Sequence, residues 1–121
     1  METFRFEVVP ANRPDVKDLI ETFSFDLFKR QIRMTLKENV VMDAYRWLVS
    51  IKDIYDKAGL FPNLLAQDMI ALHYYNGEQK FATIRFARLL VEDHTCDMTH
   101  EMFDTIKHHV VIGFEKQEID A

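Results

Sequence analysis

Apolar positions recur at spacings of three and four along most of this chain, the mark of helices with one buried stripe. The clearest stripe runs from Met42 to Ala58, where Ala44, Leu48, Ile51, Ile54, Tyr55 and Ala58 share a side and Trp47 lies at its edge. Asp43 near its start and Lys57 near its end suit the helix dipole, and Gly59 follows as a stop. Upstream, Pro14 opens a helix that runs to about Thr22. Phe25, Phe28, Ile32 and Leu36 continue the pattern, in that helix or in another begun by Ser24 and Asp26. Downstream, Pro62 to Tyr75 carries Leu65, Met69 and Leu72. Asn76-Gly77 ends that segment, and between two helical patterns it reads as a helix stop rather than a hairpin turn. Glu78 to Glu92 carries Phe81, Ala82, Ile84, Ala87 and Leu90. After a loop at 93–97, Asp97 or Thr99 caps a last helix with Met102, Phe103, Ile106 and Val110 inward and Gly113 after it.

Only the N-terminus alternates. Phe4, Phe6 and Val8 alternate with Arg5 and Glu7. With no second period-two segment to pair with, residues 1–12 read as an extended arm. Residues 13–114 then form one helical domain and 115–121 a polar tail. The expected fold is all-α: five to six antiparallel helices, stacked as a short α-solenoid of helical hairpins.

Composition narrows the class. The chain has 121 residues, 48% hydrophobic and 29% charged, which suits one globular domain. Net charge is −5. The only basic run, Lys29-Arg30-Gln31-Ile32-Arg33 with Lys37, reads as a solvated helix face, so no nucleic-acid partner is expected. Cys96 is the single cysteine, which excludes an intrachain disulfide and favours a reducing compartment. No apolar run is long enough to span a bilayer, and the N-terminus is neither a secretory signal nor an Arg-rich transit peptide.

Candidate chemistry is sparse. His100, Asp104 and His108 would lie on one face of the last helix at i, i+4 and i+8, two imidazoles and a carboxylate of the kind a transition metal accepts, with His94 and Cys96 just before it. That face is opposite the apolar stripe and lacks the His-Glu-x-x-His spacing, so it reads as solvated, with no metal and no cofactor. Cys96 with His94 or His100 as base reads as a half-buried thiol. With three glycines and no phosphate loop or Gly-x-Ser-x-Gly elbow, no enzyme is expected. The surplus of aromatics points elsewhere. Tyr45, Trp47, Phe61, Tyr74, Tyr75, Phe86 and Phe114 exceed what a thin helical stack can hide, so some should anchor an interface.

The stretch from Leu60 to Glu92 resembles the centre of the cytochrome c oxidase subunit Va family (subunit VI in fungi). Phe61-Pro62 opens a helix, Leu64-Leu65 follow, Asn76 falls fourteen residues after Pro62, and Ala82-Thr83-Ile84-Arg85-Phe86 matches a small-small-aliphatic-Arg-apolar start. The resemblance spans roughly 43–114 and leaves the first forty residues unaligned. It implies a non-catalytic, helical, structural subunit of a larger complex, peripheral on the matrix side of the mitochondrial inner membrane. Such a subunit would contact other protein subunits through Trp47, Tyr74, Tyr75, Arg85 and Arg88, without haem or copper. The alternative is a free-standing cytoplasmic helical adaptor binding a protein or peptide.

Overall fold

The structure is a computed structural model and describes residues 2–57, 69–100 and 105–120. It overturns the all-α expectation. Six strands form one antiparallel sheet: β1 (Phe4–Pro10), β2 (Ile20–Asp26), β3 (Gln31–Lys37), β4 (Met69–Asn76), β5 (Gln79–Thr99) and β6 (Thr105–Asp120). A 3-10 helix, Pro14–Leu19, joins β1 to β2, and one α-helix, α1 (Asp43–Lys57), follows β3. Strand order is β1-β4-β5-β6-β3-β2, and the sheet curls into a half-barrel. There is no solenoid and no helical repeat among the described residues.

The arm at 1–12 is largely β1, and its partner is β4, with Phe6 opposite Tyr74 and Val8 opposite Leu72. The polar tail at 115–121 belongs in its described part to β6, whose pairing with β5 reaches Asp120. Domain boundaries drawn at 12 and 114 therefore cut through the sheet. The helical hairpin expected around Asn76-Gly77 is the β4–β5 hairpin: Tyr74 faces Ala82 and Asn76 faces Gln79. Gly77 sits at φ +60°, a turn conformation that glycine adopts without a side-chain penalty. The helical fold implied by the oxidase-subunit resemblance is absent from the described part of 60–92, where β4 and most of β5 stand. Its Phe61, Pro62, Leu64 and Leu65, together with Ala58, Met102, Phe103 and Asp104 of other expected elements, lie outside the described residues.

A spacing of four fits a helix turn and also two strand repeats, so Phe28, Ile32 and Leu36 could not separate the two. The intervening residues do: Ile32, Met34 and Leu36 are buried while Arg33 and Lys37 are exposed. In β5 the alternation is broken twice. Arg88 takes a left-handed conformation (φ 57°), and the register with β6 shifts between Val91 and Asp93. Inward positions therefore run Ile84, Phe86, then Leu89, Val91, then His94, Cys96. Steps of two and three mimic a helical stripe.

One face of the sheet, here the inner face, carries the core. Val8, Ile32, Met34, Leu36, Ile70, Leu72, Phe86, Leu89, Val110, Ile112 and Phe114 pack there against Ala44, Trp47, Leu48 and Ile51 of α1 and Val16 of the 3-10 helix. Burying each large aliphatic side chain contributes about 1.5–3 kcal/mol, offset by the ordering of the chain. Phe86 sits at the hub of an aromatic cluster, 4.8 Å from the Phe114 ring in an edge-on contact and 5.2 Å from Phe25. Of the predicted helices α1 alone survives at nearly its expected length, because Glu38 accepts from the amides of its first turn and its stripe is unbroken.

Candidate functional site

β3, β6 and β5 are neighbours, so residues from distant parts of the sequence meet on their inner faces. Leu36 lies opposite His108, and His108 lies opposite Cys96. Glu38 continues past the end of β3, its N–H donating to the Ile106 carbonyl at 2.9 Å. His94 lies opposite Val110. A diagonal line across three strands therefore runs Glu38, His108, His94.

That line is hydrogen-bonded throughout. His108 Nε2 meets Glu38 Oε2 at 2.7 Å, and His108 Nδ1 meets His94 Nε2 at 2.8 Å. The two imidazole planes are 21° apart with centroids 5.1 Å apart. The Glu38 and His108 side chains are each 2% exposed, while His94 reaches solvent.

A buried carboxylate survives only when its oxygens are satisfied. Glu38 Oε1 accepts from the Asn39 and Ala44 amides at 3.0 and 3.1 Å, and Oε2 accepts from the Tyr45 amide at 3.0 Å as well as from His108. Ala44 and Tyr45 belong to the first turn of α1, whose free N–H groups and positive dipole end suit an anion. Burial alone pushes the Glu38 carboxyl up. The Asn39 amide, the His108 ring and the amides of Tyr45 and Ala44 together outweigh it and hold the pKa below the ordinary value. The turn before the helix is fixed as well. Asn39 Oδ1 accepts from the Asp43 amide at 3.0 Å, and Arg13 donates to Asp43 at 2.7 Å, tying the 3-10 helix to α1.

The acceptors decide where the protons sit. Glu38 is a carboxylate, so His108 Nε2 carries the proton it donates. In neutral His108, Nδ1 is then a lone pair, and His94 Nε2–H donates to it. Nδ1 of His94, with no partner among the described residues, is then the basic nitrogen at the solvent end. Burial lowers the His94 pKa first, the repulsion that would arise if both rings were protonated lowers it further, and Asp93 opposes both. Beside the line stand Cys96, half-buried, and the Tyr45 ring, 6.4 Å from that of His108. Ile106 and Met98, paired across the same end of the inner face, are exposed, as are Val40, Val41 and Met42 ahead of α1. The rim is apolar.

The residues singled out from sequence fall in other places. Trp47, expected at an interface, is wholly buried, and its indole N–H has no partner among the described residues. Tyr74 is half-buried against Phe81 at 6.2 Å. The Arg5 guanidinium lies 4.0 Å over the Tyr75 ring. Arg85 pairs with Asp120, and Arg88 lies 3.7 Å from Glu115. The structure does not gather these five into one patch. His100 follows the end of β5, Asp104 lies outside the described residues, and His108 is on β6, so the shared helix face that motivated a metal site is absent. No group of three metal-ligating side chains occurs among the described residues. Lys29, Arg30 and Arg33 lie on the β2–β3 turn and β3, not on a helix. Among the described residues no helix is long and apolar enough to cross a membrane.

Glu38 carries no signal of its own in the sequence, where it is one polar residue after the apolar Leu36. The signal for His108 was the run His108-His109-Val110-Val111-Ile112, whose β-branched residues favour a strand. Neither a protein-family model nor a curated protein matches this chain.

Proposed function

We propose that this chain is a general acid–base catalyst whose working group is His94, with a carbon acid as its class of substrate. One observation carries this reading: a carboxylate and an imidazole, both 2% exposed, are aligned behind an imidazole that reaches solvent. A core seldom holds two such groups unless they are matched, and a perturbed titratable line that ends at the surface is a mark of a catalytic site.

The chain of bonds gives the step. His94 Nδ1 takes a proton from the substrate. His94 Nε2–H passes to His108 Nδ1, and the resulting imidazolium stands against the Glu38 carboxylate, in a setting that stabilises it. Returning the proton reverses each transfer. His94 is the catalytic residue; His108 and Glu38 position it and absorb the charge.

A suitable probe is 5-nitrobenzisoxazole, an apolar ring that opens when its C–H proton is removed: the C–H electron pair forms the nitrile and the N–O bond breaks. The wild-type chain should open it faster than free imidazole at equal concentration. His94→Ala should abolish the excess, and Glu38→Gln should cut it by about 10²-fold or more. A wild-type rate equal to that of imidazole, or a His94→Ala rate equal to wild type, would refute the reading.

A second reading rests on a different observation. Phe4, Phe6 and Phe81 are exposed near β1, an edge strand among the described residues, with Phe4 and Phe81 rings 5.8 Å apart. These rings favour a structural role among other protein subunits, through β1 rather than through the five residues expected from sequence. Phe4→Ser with Phe6→Ser should then release the chain from its complex while the His94 reaction persists; retention of the complex excludes this reading.

A further inference from the structure

The opposite, outer face of the same strands carries a second linked set of groups. Thr35 on β3 lies directly opposite His109 on β6, and His109 lies opposite Thr95 on β5. Thr35 Oγ1 is 3.2 Å from His109 Nδ1, and His109 Nε2 is 2.8 Å from Asp97 Oδ2. A carboxylate acceptor fixes the proton on Nε2, so Nδ1 is the lone pair that faces the hydroxyl. The Thr35 O–H donates into the ring. This is the order of a nucleophile, its base and the group that orients the base.

The set opens into a groove of about 300 Å³, lined among others by Thr22, Ser24, Arg33, Thr35, Thr95 and His109. Two strand irregularities flank it. On one side the β2–β3 register shifts between Ile20 and Thr22, and the Thr35 amide donates to Thr22 Oγ1 at 3.1 Å. On the other side the β5–β6 register shifts between Val91 and Asp93. Bulges of this kind bend strands and re-aim side chains. Arg33 brings a positive charge to the groove and Asp93 a negative one; Arg33, two residues from Thr35 on the same face of β3, is the group suited to an oxyanion that develops beside Thr35.

We infer that this groove is an ester-cleaving site with Thr35 as its nucleophile, separate from the His94 line on the inner face. Thr35 Oγ1 bonds to the acyl carbon as its proton moves to His109 Nδ1. The carbon–oxygen bond to the alcohol breaks, and the departing oxygen keeps that electron pair and takes up the proton. Water then attacks the acyl carbon, gives a proton to His109, and releases the carboxylic acid as Thr35 Oγ1 is reprotonated. Asp97 holds the ring and does not touch the ester.

The test uses the full chain and 4-nitrophenyl acetate. The expected result is a burst of nitrophenolate, with acetyl found on Thr35 by peptide mass spectrometry. Thr35→Val, which keeps the shape of the side chain, should remove both. Thr35→Ser should retain them, and His109→Gln should slow acylation about 100-fold. Asp97→Asn should move the pH profile of acylation, which a purely structural carboxylate would not do. Acetyl carried by Thr35 itself separates this site from the proposed one, whose proton transfer leaves no acyl group on the chain. Acetyl on lysines or histidines alone, or a burst that survives in Thr35→Val, would overturn the inference.

Discussion

His108 and His109 are consecutive residues of β6, and each presents a ring nitrogen to a carboxylate on the opposite side of the sheet from the other: Glu38 at 2.7 Å within the core, Asp97 at 2.8 Å on the outside. Strand alternation alone produces this division. The inner pair is sealed, and the outer pair is about half exposed. The same two residue types therefore play different parts. The inner pair bears on stability as well as chemistry, while the outer, half-exposed pair adds little to stability.

Glu38 is the cap of α1 as much as the anchor of His108. Glu38→Ala strands the Ala44 and Tyr45 amides and a buried imidazole N–H, and should cost about 2–4 kcal/mol in urea unfolding. Glu38→Gln keeps one acceptor oxygen but turns an amide donor toward other donors, so it should recover only part of that loss. Equal stability of wild type and Glu38→Ala would show that the helix end is satisfied in another way.

Stability should fall in two stages as pH drops. His94 and His73 both have folded pKa values below the ordinary 6.5, in each case chiefly through burial. A base whose folded pKa is depressed binds fewer protons folded than unfolded, so its stabilisation is complete above 6.5 and is lost as pH falls through the folded value. Glu38 is also depressed, below 4.5, so its contribution is present above 4.5 and lost at lower pH. Unfolding midpoints measured from pH 8 to pH 3 should show an upper decline that His94→Gln reduces and a lower one that Glu38→Gln reduces.

Trp47 fills the core between α1 and the sheet, and its indole N–H lacks an acceptor among the described residues. Trp47→Phe removes an unpaired donor along with volume and should cost less than Trp47→Ala, for which about 3–5 kcal/mol is expected. As the sole tryptophan it is also a clean probe. Its emission should be blue-shifted when folded and move to the red on unfolding.

Gly77 has open space around its missing Cβ but a φ of +60°. Gly77→Ala should therefore cost about 1–2 kcal/mol through the backbone alone. Gly77→Asn should cost less, since asparagine tolerates this conformation. Equal effects of the two in thermal unfolding would point to a lost contact instead.

The sequence revealed the helix and little of the sheet, for identifiable reasons. Asp43 to Lys57 carries an unbroken stripe between charged ends, and no other period fits it. Ile32, Met34 and Leu36 did alternate, but Phe28 and Leu36 extended the run at spacings of four and drew it into a helix. In β5 the two irregularities near Arg88 and Glu92 scrambled the period locally, and only pairing with β6 explains the inward set. Asn76-Gly77 is a hairpin signal, but the spacing of three and four on both sides of it favours a helix stop. His94, Cys96 and His108 were noticed individually. Their meeting with Glu38 depends on strand order, which no local pattern encodes.

Long sequence separation has a cost in time. Thr3 and Asn76 are bonded across 73 positions, and Glu38 and His108 across 70. A ribosome therefore delivers β1, β2 and β3 well before the strands that complete the sheet beside them. Non-local pairing of this kind slows folding and leaves early segments exposed to wrong partners. Newly made chains should depend on holding chaperones, and refolding from dilute denaturant should be slow even though the finished sheet is well knit.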